Sequence, residues 1–236
     1  GGESGAGTTQ TALALLGLLP GGGTILDGSI KFDGVELTTL LSKEYDKLRG
    51  ARISYIPQEP MSNLDPSFTI GSQLTEPIRM VLGMGKDEAK AKALQLLDMV
   101  GLPDPEKTFN SYPHEVSGGQ AQRVLIAGAL SCDPDLIIAD EPTTALDVTI
   151  QAEILDVLRD MQKRTGVAIL LVTHNFGVVA DLCDRVAVMQ YGRIIESGAI
   201  LDIFDHAEHA YTKELLGSIL DEHGPARGAY VAPVGK

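Results

Sequence analysis

The stretch LIIADEP, Leu136 to Pro142, decides the fold. Four consecutive apolar residues read as a strand buried on both faces, and they deliver Asp140 and Glu141 to its carboxyl end, where ligands of open α/β sheets gather. Working outward, similar apolar runs follow at Ala168 to Val172 and Val186 to Met189. Helical patterns at Thr149 to Arg164 and Phe176 to Leu182 separate them, an alternation that predicts a parallel sheet covered by helices. A turn at Tyr191-Gly192, a strand over Arg193 to Glu196 and a helix near Ala210 to Leu220 complete this side. Upstream, a glycine-rich loop, Gly1 to Gly7, runs into a helix from Thr8 to Leu19 that Pro20 and the following glycines stop. Short β-like runs at Ser29 to Phe32 and Ile53 to Ile56 flank the helix-like SKEYDKLRG, and Ile70 to about Leu130 is helical almost throughout. The fold class is α/β with a helical insert, and no internal repeat is visible.

Composition narrows the function. The 236 residues carry 19 Lys+Arg against 32 Asp+Glu, a net charge of −13, with 44% hydrophobic and 22% charged residues. That is globular composition, and both halves of the chain are acidic. Binding to nucleic acid through neutralised phosphates is therefore excluded as the main activity, and an anionic ligand needs a local site. The longest apolar stretches, Ala12 to Leu19 and Val167 to Val172, fall well short of the ~20 residues that span a bilayer. Cys132 and Cys183, in apolar surroundings, read as reduced buried thiols.

Three segments carry chemistry. Gly2, Glu3, Ser4, Gly5, Ala6, Gly7, Thr8 and Thr9 have the spacing of a phosphate-binding loop, whose backbone N–H groups cradle phosphates at a helix start. Thr8 stands where that motif places a lysine, while Thr9 keeps the hydroxyl that ligates Mg²⁺. Asp140 is suited to hold Mg²⁺ through water and Glu141 to act as general base on an attacking water. In VSGGQAQRV, Ser117 can cap a helix while Gly118 and Gly119 expose its free N–H groups, making a second anion site. Each segment taken singly also has a plain reading, as a glycine-rich turn, a strand-end cap or an ordinary capped helix. His206 and His209, near Asp205 and Glu208, fall short of the four convergent ligands of a structural zinc site and sit near a helix start.

The order GESGAGTT, IPQEP, SGGQ, LIIADEP, TALD and LLVTHN resembles the ATP-binding-cassette ATPase family, over essentially Gly1 to Leu220. The resemblance implies a RecA-like core at residues 1–65 and 133–220, an inserted helical subdomain at 66–132 and a tail at 221–236. It makes Gln58 the glutamine that touches the metal and senses membrane subunits, and Ser117 to Gln120 the signature loop, with Val116 replacing the usual Leu. Asp140 and Glu141 become the Walker B pair, Ala145 to Asp147 part of the D-loop, and His174 the switch histidine on the γ-phosphate. EPMSNLDP, YPHE and HAYTKELL are similar to the ATPases of oligopeptide and dipeptide importers and the related nickel carriers. The cysteine-bearing extension of many members has no counterpart here, so an iron–sulfur site is unsupported.

The expected ligands are then ATP and Mg²⁺. The expected partners are a second ABC ATPase subunit or domain and transmembrane permease subunits, with the chain cytoplasmic and peripheral on the inner face of the cell membrane. The family also implies a segment ahead of Gly1, with early strands and an aromatic that stacks on adenine. Thr8 is expected to impair the chain's own phosphate loop. The alternative is a non-hydrolysing cassette whose SGGQ loop completes a partner's ATP site.

Overall fold

The computed structural model describes residues 7–144 and 146–222, which fall into two compact units. The first runs from Thr8 to Val172. Helix α1 (Thr8–Leu15) is followed by a short hairpin of β1 (Lys31–Phe32) and β2 (Val35–Glu36), closed through Asp33 and Gly34, both at positive φ. The expected strand over Ser29 to Phe32 thus keeps only its last two residues. α1 is also shorter than expected, ending at Leu15, and helix α2 takes only Ser42–Tyr45 of the SKEYDKLRG segment. β3 (Ile53–Ile56) follows as predicted.

The helical stretch resolves into α3 (Ile70–Leu82), α4 (Lys86–Met99), α5 (Pro105–Asn110) and α6 (Gly118–Leu130). Helices α3, α4 and α5 pack on one another, burying Ile70, Leu74, Ile78, Ala93 and Leu97. α6 packs on α4 and on β3, joining this cluster to the sheet. Next come β4 (Leu136–Asp140), α7 (Val148–Thr165) and β5 (Ala168–Val172). The three strands form one parallel sheet in the order β3-β4-β5, with Ile53 opposite Leu136 and Leu136 opposite Ala168.

The central position of β4 explains why its sequence has no polar alternation. Ile137, Ile138 and Ala139 are all fully buried, one face against helix and the other also covered. Ile53, Tyr55, Leu136 and Ile138 belong to the core that also holds Ala12, Leu16, Leu37 and Val172. β5 pairs only with β4 in this sheet, and its Leu170 is 37% exposed.

The second unit contains Gly7 and the chain from Thr173 onward. It holds α8 (Phe176–Leu182), β6 (Arg185–Gln190), β7 (Arg193–Ala199), α9 (Ile200–His206) and α10 (Ala210–Glu222). Phe176, Val179, Val186, Val188, Ile203 and Tyr211 form its core. One expectation is corrected here: the Val186 to Met189 run does not join the parallel sheet but pairs antiparallel with β7. The reason is local. Tyr191 (φ 49°) and Gly192 (φ 75°) make the left-handed two-residue turn that matches hairpin twist, so the neighbouring strand is the immediate partner. The burial of β6 agrees, since Val186 and Val188 are buried while Arg185 and Ala187 are exposed. His206 ends α9 and His209 directly precedes α10, where its Nδ1 accepts the Tyr211 N–H at 3.2 Å.

Glu36 organises the hairpin end of the first unit. Its carboxylate accepts the Ile30 N–H at 3.0 Å and the Thr38 N–H at 3.2 Å, together with the hydroxyls of Thr38 and Ser29. These donors, the Ser29 hydroxyl foremost, hold its pKa down at about 2, against an ordinary value of 4.5. A pKa lowered by folding gives stability that is complete above the unfolded value and disappears as pH falls toward the folded one. Urea unfolding should therefore show stability falling between pH 4.5 and about 2, with a flatter dependence over that window in Glu36→Gln. Parallel curves for the two proteins would refute the role given to Glu36.

Candidate functional site

The site begins with strand parity. Tyr55 lies opposite Ile138 in the β3–β4 register, so Tyr55, Ile138 and Asp140 share one face of the sheet, the face against which α1 packs. Thr9, the second residue of α1, consequently meets Asp140 at the carboxyl end of β4. The Thr9 hydroxyl donates to Asp140 Oδ1 at 3.2 Å, and the Tyr55 hydroxyl donates to Oδ2 at 3.0 Å. Asp140 is only 3% exposed. Burial raises its pKa, the Tyr55 and Thr9 hydrogen bonds oppose that rise, and the neighbouring Glu141 charge adds to it. Tyr55 in turn is pushed well above the ordinary phenol value, first by burial and then by the negative charge of Asp140.

A hydroxyl and a carboxylate meeting at a strand end are hard oxygen donors, and such a pair suits Mg²⁺ with water filling the remaining positions. Tyr55 is the residue that sequence reasoning missed. The signal was available: two residues along β3 from Ile53, it shares a face with the residues expected to end β4.

Glu141 leaves the strand abruptly. Its N–H donates to the Val172 carbonyl at 2.8 Å, and its backbone then adopts φ 48°, a left-handed conformation unusual for glutamate. Its Oε2 accepts the Thr144 hydroxyl. Gln58 is exposed two residues beyond β3, at the same sheet edge as Asp140, since β3 and β4 are parallel. The structure therefore brings Thr9 and Asp140 into contact and sets Gln58 and Glu141 at the same carboxyl edge.

Gly2, Glu3, Ser4, Gly5 and Ala6 are outside the described residues, as is Ala145; Gly7 has φ 93°. His174 belongs to the second unit, exposed just ahead of Asn175, whose side chain caps α8. Ser117 caps α6 as expected: its Oγ accepts the Gln120 N–H at 3.3 Å. The reciprocal bond was not anticipated. Gln120 Oε1 accepts the Ser117 N–H at 3.0 Å, so the glutamine closes a capping box. The SGGQ segment packs toward Leu146 and Ile150, at the start of α7, where Asp147 Oδ1 accepts the Ile150 N–H at 3.0 Å.

A helix that starts behind a glycine, a hydroxyl in its first turn and an acid ending the central parallel strand are the marks of a P-loop nucleotide-binding cassette with a RecA-like sheet. The family model described as ABC transporter matches residues 1–144, and the chain belongs to that family. It is 48% identical over 226 residues to the dipeptide transport ATP-binding protein DppD of Bacillus subtilis (strain 168), covering 94% of this chain and 68% of that protein. It is 47% identical to the oligopeptide transport ATP-binding protein OppD of Haemophilus influenzae (strain ATCC 51907 / DSM 11121 / KW20 / Rd), covering 92% and 67%. Thus the chain spans about two thirds of the length of these relatives. Among solved structures, a dimeric ATP-binding cassette in a post-hydrolysis state with ADP and Pi matches with TM-score 0.73 at 28% identity, over 84% of this chain and 83% of that one.

Replacing Tyr55 tests the site's internal support. Tyr55→Phe leaves the shape but removes a donor from a buried carboxylate, and should cost about 1–2 kcal/mol in urea unfolding at pH 7. An unchanged midpoint would mean that the Asp140–Tyr55 bond contributes nothing.

Proposed function

We propose that the chain is the ATP-binding and hydrolysing subunit of a membrane importer, with di- and oligopeptides as the solute class. The observation that carries this reading is the Thr9–Asp140 contact at the carboxyl end of the central strand. The names of the relatives support the solute class. In this reading the core takes residues 1–65 and 133–220, the helical subdomain 66–132 and the tail 221–236. The relatives are named as ATP-binding proteins of peptide transport, and this reading accordingly gives the transport path to partner permease subunits. The chain then sits on the cytoplasmic face.

Thr9, Gln58 and Asp140 would hold Mg²⁺, Asp140 through water. When bound, the ion neutralises charge on the β- and γ-phosphates. Gly2 to Thr9 supply backbone N–H groups to the phosphates. Glu141 takes the proton of the attacking water, and its bond from Thr144 holds the carboxylate in place. His174 contacts the γ-phosphate. Ser117 to Gln120 serve a facing cassette, so the working unit is a pair in which ATP closes the interface and hydrolysis reopens it.

Thr8 favours a second reading, in which this chain's own loop is impaired and the cassette pairs without turnover. A charge-assisted bond to phosphate is worth ~1.5–3 kcal/mol, so Thr8→Lys should tighten ATP binding roughly ten- to hundredfold. Supplying the missing donor should also raise turnover by ~10²–10³, and Glu141→Gln should then abolish it. The assay is phosphate release with Mg²⁺-ATP. Equal rates for the unmodified chain and Thr8→Lys would refute the impairment. ATP binding without phosphate release, even beside the partner cassette, would establish the second reading.

A further inference from the structure

Helix α6 carries the SGGQ loop at its start, and Arg123 is its single charged side chain. Arg123 lies about one turn beyond Gln120, and its guanidinium is shared between two other elements. Nη1 donates to the Val100 carbonyl at 2.6 Å, at the carboxyl end of α4. Nη2 donates to Glu153 Oε2 on α7 at 2.8 Å. The first bond satisfies a terminal helix carbonyl and places a cation at the negative end of α4. The second reaches the helix whose first turn is capped by Asp147 of the TALD segment. The arginine side chain is 15% exposed and Glu153 49%.

Backbone packing reinforces this junction. Gly119 lies so close to α7 that a Cβ there would sit 2.9 Å from Ile150 Cγ2. Gly101, at φ 75°, leaves room for the guanidinium, since a Cβ would come within 2.8 Å of Nη1. Ser117, Gln120, Arg123, Ile150 and Glu153 line one small cleft at this junction. The far half of α6 is anchored differently, by Ile126, Ala127 and Leu130, which are buried and apolar.

We infer that Arg123 is a positioning residue that locks the SGGQ loop to the helix following the TALD segment, so that both reach a facing nucleotide as one rigid block. The inference rests on the proposed role of Ser117 to Gln120. The guanidinium reaches its two acceptors from separate nitrogens held in a rigid plane, whereas an ammonium's three donors radiate from one nitrogen on a flexible stem, which is why arginine suits the position.

The test uses the full chain in the Thr8→Lys background, with Arg123→Ala, Arg123→Lys and the half-exposed Glu153→Gln. Arg123→Ala should lower kcat about tenfold with KM for ATP changed less than about threefold, Lys should recover part of it, and Glu153→Gln should cost about two- to threefold. Amide exchange at Gln120 to Arg123 should speed up about tenfold in Arg123→Ala while Ile126 to Leu130 stay within about twofold. Exchange unchanged at Gln120 to Arg123, or rising equally along all of α6, would overturn the inference. If Arg123→Ala fails to fold, the same local pattern in Glu153→Gln decides it. If Thr8→Lys itself shows no turnover, the proposed function fails, and the exchange pattern alone still decides whether Arg123 locks the junction.

Discussion

A carboxylate at the end of a strand with neighbours on both sides has little access to water, and Asp140 survives there because hydroxyls from two other elements reach its two oxygens. That requirement ties the site to the fold. Thr9 must stand at the start of α1, α1 must pack on β4 and β5, and Tyr55 must be in register with Ile138. A one-residue slip of β3 against β4 would turn Tyr55 to the opposite face and leave one oxygen without its donor. The same slip would move Ile53 out of the core that α1 closes. Register, core and site thus stand or fall together.

Most of the parallel sheet and the helical stretch was legible in the sequence. Uninterrupted apolar runs such as Leu136 to Ala139 identify doubly buried strands, and the helical segments between Ile70 and Leu130 are marked by residues of good helix propensity, with a clear apolar stripe in Ile70 to Leu82. Where the reading departed from the structure, long-range burial and local turn chemistry competed. The Val186 to Met189 run resembles a buried strand, yet Tyr191-Gly192 pairs it with its successor. The two-residue strands β1 and β2 hold too few residues for any period to register, and their turn residues were the better guide.

The site was legible in part for a related reason. Thr9 stands out through the spacing of the glycine-rich loop, and Asp140 and Glu141 through the apolar run that carries two acids to a strand end. Tyr55 does not, since an aromatic in a strand is ordinary, and its role appears only when the strand register is known. Gln120 shows a similar limit. The family resemblance suggested a ligand contact for it, while the structure employs it in the capping box that fixes the first turn of α6. Side chains that serve both backbone and ligand are hard to separate by spacing alone.

Glu141 carries a left-handed backbone that a side-chain-bearing residue adopts at a cost of roughly 1–2 kcal/mol. Glycine would adopt it freely. Selection for folding alone would therefore drift this position toward glycine, which relieves the strain and removes the carboxylate together. Glutamate here therefore trades backbone stability for a carboxylate at the strand end, and laboratory evolution for heat resistance alone would be expected to erode this position early.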